Sequence, residues 1–220
     1  MRATLLVVAV LLTCAMAHAQ TGATPAPSTA LPAAASSTTL SHDRHEGMDV
    51  SADPYADRER AKEKFGKANP IPAGILPVEV FLRNETNQPI HIDLNTIQLE
   101  VQVGEEGRQD IDWLRPEEVA DVVAHPGGPP APQTRRIPVG IPLPGKDKKT
   151  DKLAEILRPL TLDADVVAPM KTIHGFLFFN MNHKMSLAHQ ASLYIPDATF
   201  LATNKPLMFF EVPLSKPSEP

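Results

Sequence analysis

The sequence predicts a mainly β protein: an antiparallel immunoglobulin-like β-sandwich with two or three short helices and a long Pro-rich loop. Three observations lead there. In VEVFLR (78–83) the apolar Val78, Val80 and Leu82 recur at period two, with Glu79 and Arg83 at the other positions, the spacing that sends one face of a strand inward. Apolar runs of strand length recur through residues 90–215, separated by Asn, Asp, Gly and Pro turns. The helical segments between them are brief, as in sandwiches and unlike the long crossover helices of a parallel sheet.

Each element has a local reason. GMDVSA (47–52) is a short strand stopped by Asp53-Pro54-Tyr55, and DRERAKEKF (57–65) is a charged surface helix rich in helix formers. In GILPVEVFLRN, Val78, Val80 and Leu82 share one face while Glu79 and Arg83 point the other way. Asn84–Gln88 makes a turn, and Pro89 opens the next strand, where proline is tolerated. The phase then changes. Ile90, Ile92 and Leu94 are even-numbered, whereas Ile97, Leu99, Val101 and Val103 are odd. One strand cannot send both sets to the same face, so Asn95-Thr96 holds a bulge or bend at which the chain leaves one sheet for another. Gly104–Gly107 is a turn before a short strand from Gln109 to Leu114. Pro116 opens the helix PEEVADVVAH, with acids in its first turn. DKLAEILRPL (151–160) is a further helix with Leu153, Ile156 and Leu157 on one face. TLDADVVA, IHGFLFFNM, ASLYIPD and PLMFFEVPLS supply four closing strands.

The organisation around this domain reads as that of an exported chain. Residues 1–19 have the form of a signal peptide: Arg2, the apolar run Leu5–Leu12, then Ala17-His18-Ala19 as a small-x-small cleavage pattern. The run is too short to span a bilayer, which takes about 20 residues, so no transmembrane helix is expected in the mature chain. The lone Cys14 sits in an imperfect lipoprotein box, Leu11-Leu12-Thr13-Cys14, which makes a lipid anchor the competing reading of the same segment. Residues 20–46 are Ala/Thr/Ser/Pro-rich at first and read as a disordered tether. Residues 47–215 form the single domain, with the loop at 125–150, and 216–220 is a disordered tail. The expected location is the periplasm or the extracellular space, with attachment to the outer membrane as a variant of it.

Charge and composition narrow the partners. The formal charge is −5, becoming −6 once Arg2 leaves with the leader. Basic residues are scattered, which argues against nucleic acid, since phosphate surfaces need a concentrated basic patch. With cleavage after Ala19 no thiol remains, so neither a disulfide nor a cysteine nucleophile is expected. Seven prolines fall between Pro126 and Pro144, marking that stretch as a loop.

GMDVSADPY, FGK (65–67), GILPVEVFLRN, GFLFF (175–179) and FFEVPLS together resemble a family of uncharacterised exported bacterial proteins. The resemblance covers most of residues 47–215 and implies an immunoglobulin-like sandwich behind a signal peptide or lipoprotein signal. The family has no assigned reaction, and the resemblance carries over no functional residue.

Motifs that carry chemistry are few. GIPLPGKD (140–147) reproduces the G-x-x-x-x-G-K spacing of a phosphate loop, but Pro142 and Pro144 lack the N–H groups that cradle phosphate. Asp147 also stands where a Mg²⁺-binding hydroxyl belongs. His125-Pro126-Gly127-Gly128 resembles an oxyanion loop, yet no G-x-S-x-G accompanies it. The acid pairs Asp163/Asp165 and Glu117/Glu118 lack a cleft in the sequence reading, and Asp163 and Asp165 read as a solvated strand face. No catalytic or cofactor-binding residue is assigned. The metal candidates are Met181, His183, Met185 and His189, a thioether–imidazole set suited to copper in its Cu(I) state. His183-x-Met185 is similar to the H-x-M piece of periplasmic copper carriers. The bland alternative has the methionines filling the core and the histidines on a loop. His42 and His45, beside Asp43 and Glu46, form a weaker divalent pattern. The expected function is therefore a non-enzymatic exported envelope protein, a β-sandwich binding or assembly module for an envelope protein or small ligand. A copper-binding protein is the alternative and a secreted hydrolase the third reading.

Overall fold

The computed structural model describes residues 40–104, 107–126 and 148–215, all within one compact unit, Thr38–Pro220. The expected leader with Cys14, most of the tether, the Pro-rich stretch 127–147 with its G-x-x-x-x-G-K spacing, and the tail 216–220 lie outside the described residues.

The first half supplies β1 (Ser41–His45), β2 (Met48–Pro54), helix α1 (Arg58–Phe65), β3 (Ile75–Asn84), β4 (Ile90–Ile92), β5 (Gln98–Val103), β6 (Gly107–Leu114) and helix α2 (Pro116–Ala124). The second supplies helix α3 (Lys148–Leu157), β7 (Val166–Val167), β8 (Thr172–Asn180), β9 (Ala191–Ile195), β10 (Ala198–Phe200), β11 (Lys205–Pro206) and β12 (Phe210–Pro213). Eight strands form one sheet in the order β1-β2-β3-β8-β6-β5-β9-β12, and four form another, β11-β10-β4-β7. The named strands pair antiparallel throughout. The fold is mainly antiparallel β and sandwich-like, as the alternation predicts.

β6 joins the two halves of the large sheet. Gly107–Asp112 pair with β5, whereas Trp113 and Leu114 pair with Phe179 and Phe178 of β8. A flat eight-stranded sheet would hold its outer strands roughly 30 Å apart, at about 4.8 Å per strand. Here the Glu211 N–H of β12 donates to Asp43 Oδ2 of β1 at 3.0 Å, and the Ser41 hydroxyl donates to the Ser215 carbonyl at 2.8 Å. The sheet therefore curls until its two edges meet.

The predicted phase break is real. β4 lies in the small sheet and β5 in the large one, with a 3₁₀ turn at Leu94–Thr96 between them. Asp93 fixes that turn, its Oδ1 accepting from the Asn95 N–H at 2.9 Å. The sandwich core holds Leu76, Val78, Val80 and Leu82 of β3 with Ile90, Ile92, Leu99, Leu193 and Val212. Each such side chain, fully buried, stabilises the fold by about 1.5–3 kcal/mol.

A second core lies on the other face of the large sheet, beneath the helices. Ile75, Phe176 and Phe178 pack there with Phe65 of α1, Val119 of α2 and Leu153 and Leu157 of α3. Successive residues of β8 thus serve different cores, since Leu177 and Phe179 point into the sandwich. Gly175 is required by close approach: a Cβ there would lie 2.5 Å from the Leu162 backbone nitrogen. The segment Thr161-Leu162 crosses at that point, and Thr161 bridges Phe176 in parallel.

Four expectations need correction. Ser41–His45 is a strand, so the tether does not extend to residue 46; the β2 backbone pairs with it despite its polar sequence. Glu79, on the face away from the sandwich core, is buried there with Tyr55 and His174 as hydrogen-bond partners. Ile156 is exposed, and Ala154 is the residue buried beside Leu153 and Leu157. TLDADVVA contributes only the two residues of β7, since Thr161–Asp165 runs past β8 and forms no ladder of its own. The loop expected at 125–150 gives way to helix α3 from Lys148.

Candidate functional site

The break between β4 and β5 does more than redirect a strand. By turning at Asp93–Thr96 the chain leaves a cleft of about 570 Å³ between the small sheet and the helical layer. Its lining comes from three stretches of chain: His91, Ile92 and Leu94 at β4 and the turn after it, Trp113, Arg115 and Glu117 at the end of β6 and the start of α2, and Arg158, Asp163 and Asp165 past α3. Its volume falls in the roughly 300–1,000 Å³ range of small-molecule sites.

Local bonds hold the walls. The Trp113 indole N–H donates to the Leu94 carbonyl at 2.6 Å, tying β6 to the 3₁₀ turn. The Ile92 N–H donates to the Asp165 carbonyl at 2.8 Å, which sets the Asp163–Asp165 segment beside β4. Pro116 occupies the first turn of α2, where its missing N–H costs nothing, and the Arg115 N–H donates to Glu118 Oε2 at 2.7 Å. Arg158 Nε donates to Glu117 Oε1 at 2.8 Å. His91 Nε2 lies 3.8 Å from Asp165 Oδ2, beyond hydrogen-bond distance.

A second polar cluster lies on the outer face of the large sheet. The Tyr55 hydroxyl donates to Glu79 Oε2 at 3.0 Å, and His174 Nδ1 lies 3.3 Å from Glu79 Oε1. The Arg60 guanidinium covers the Tyr55 ring at 3.7 Å and is clamped by both oxygens of Asp53. Burial, and then the charge of Glu79, push the Tyr55 phenol up to about 12. The hydrogen bonding that Arg60 donates to Asp53 is the main cause holding Arg60 above its usual range. This cluster pins α1 to the sheet. Its tyrosine is engaged as a donor, and its carboxylate is enclosed rather than presented.

The four metal candidates are placed as follows. Met181 is buried in the sandwich core at 3% exposure, and Met185 is half-buried against both cores. His183 and His189 are exposed. His183 has a left-handed φ of 64° and passes so close to Gly74 that a Cβ there would lie 2.7 Å from its nitrogen. Both thioethers therefore have packing roles. Among the described residues no group of three or more His, Cys, Asp or Glu side chains is arranged to hold a metal ion.

The weaker pattern at residues 42–46 closes the seam between β1 and β12. Besides Asp43, His45 Nε2 lies 3.0 Å from the Phe209 carbonyl, and Glu46 Oε2 accepts from the Met208 N–H at 2.7 Å. That backbone bond is the leading cause holding the Glu46 carboxyl below its ordinary value. The His45 ring stacks on Phe210 with centroids 4.0 Å apart.

The cleft was not assigned from sequence. Its parts come from residues 91–95, 113–117 and 158–165, each ordinary alone. The one usable signal was the phase break, since a chain changing sheets leaves a gap where it turns. Fold and cleft together define a β-sandwich-like domain with a cleft of small-molecule size. No family model, curated protein or solved structure matches the chain. No described helix is long and apolar enough to cross a membrane.

Proposed function

We propose that the chain is a non-enzymatic, exported binding module of the cell envelope whose small ligand enters the cleft beside Trp113. The observation that carries this reading is the cleft itself: a concavity of ligand size lined by an aromatic residue, two arginines and several carboxylates. The closed seam supports it from the other side. The edges of the large sheet are capped by side chains of β1, so strand addition there is opposed and the cleft is the better docking point. The signal-like N-terminal segment supports the export part of the proposal.

Trp113 is the only tryptophan, so the tryptophan fluorescence comes from a residue that lines the cleft. In a titration of the purified chain with a panel of small polar molecules, at least one gives a saturable change, with no turnover in a parallel hydrolase screen. Turnover that His91→Ala abolishes would replace this reading with an enzymatic one.

A further inference from the structure

We propose that the ligand of the cleft is a small zwitterion, an amino acid or short peptide with both termini free. This rests on the cleft reading and adds the class of ligand to it. Most charged groups of the cleft already have partners. Arg158 has Glu117, His91 has Asp165, and Asp93 accepts from the Asn95 N–H. Two groups of opposite sign stand apart from these pairs. Among the described residues neither the Arg115 guanidinium nor the Asp163 carboxylate has an ion-pair partner, and both are exposed.

The two charges come from different segments of the chain. Arg115 lies at the junction of β6 and α2, and Asp163 on the segment that crosses β8 and leads to β7. A fixed charge in a concave site attracts its opposite more strongly than one on an open surface, because the walls displace water. The guanidinium fork matches a carboxylate through two parallel hydrogen bonds, and a carboxylate suits the three donors of an ammonium group. A ligand carrying both groups satisfies both sites at once. A simple anion would meet Arg115 but also Glu117, Asp163 and Asp165, and a simple cation would leave Arg115 unmet. Leu94, half-buried, and Trp113, 9% exposed, lie along the same cleft and offer apolar contact to the body of the ligand.

The test uses alanyl-alanine with free termini, its N-acetyl form and its C-terminal amide, each titrated against Trp113 fluorescence in the full chain. The free dipeptide binds saturably, and each blocked form binds roughly tenfold more weakly. Arg115→Gln weakens the free dipeptide by a similar factor but scarcely changes the amide, while Asp163→Asn scarcely changes the N-acetyl form. Melting curves of both variants within a few degrees of the parent exclude a folding artefact. Equal binding of all three forms, or saturable binding of a neutral oligosaccharide indifferent to both substitutions, overturns the zwitterion and keeps the cleft as a binding site. No saturable response to these probes or to the wider panel overturns the zwitterion and the cleft reading together.

Discussion

Tyr55 shows how one side chain links charge, burial and pH. Its phenol is pushed up to about 12 from an ordinary 10, first by burial and then by the neighbouring Glu79 carboxylate. The bound proton therefore contributes stability that is fully present below pH 10 and is lost as pH rises through about 12. In a Tyr194→Phe chain, which leaves Tyr55 as the sole tyrosine, phenolate absorbance rises with a midpoint near 12. In Tyr55→Phe the fall of unfolding free energy between those pH values flattens. A phenolate midpoint near 10 would contradict the Glu79 contact. Alternation made Glu79 legible as a residue facing away from the sandwich core, which is correct. It gave no hint that a second core continues on that side, because the contact to Tyr55 spans 24 positions and no local pattern encodes it.

At the scale of the element, β1 is the instructive case. Ser41-His42-Asp43-Arg44-His45 has no apolar residue and reads as the end of a tether. It is nevertheless a strand, because β2 offers it a backbone ladder and β12 offers it an unpaired edge. Ser41, Asp43 and His45 are partly buried while His42 and Arg44 are exposed, a period-two pattern written entirely in polar residues. Each side-chain bond across the seam is worth about 0.5–1.5 kcal/mol, but leaving β12 uncapped has a second cost, an open template for pairing with another chain. Asp43→Ala removes the acceptor of the Glu211 N–H. The expected outcome is faster hydrogen exchange at the Glu211 amide and greater self-association, read by exchange mass spectrometry and light scattering. Unchanged exchange at Glu211 would mean that the seam is not held through this residue. The helices were more legible, since Asp57 before α1 and Pro116 at the start of α2 are local signals that act locally.

Over the whole molecule, the large sheet carries a core on each face, and β8 is the strand that joins them. The run Phe176-Leu177-Phe178-Phe179 is apolar at every position, as expected of a strand covered on both sides. That much was legible in GFLFF, although which partner covers the outer face was not. The helices that cover it come from positions far along the chain, and the cleft likewise gathers residues from three separated stretches. Adjacent substitutions can separate the two cores. Phe179→Ala opens a cavity in the sandwich interior, and Phe178→Ala opens one beneath α3 and α1. Each is expected to cost about 3–5 kcal/mol, because both rings are fully buried. Their local signatures differ. Native-state hydrogen exchange should show Phe178→Ala releasing the amides of α3 while β5 and β9 stay protected, because those strands pack on the opposite core. Phe179→Ala instead loosens β5 and β9 together with the Trp113 pairing that closes β6 onto β8. The cleft should respond only to the second substitution through Trp113 fluorescence. If Phe178→Ala also shifts that signal before global unfolding, the helical layer and the sandwich open as one unit, and the cleft takes its shape from both cores.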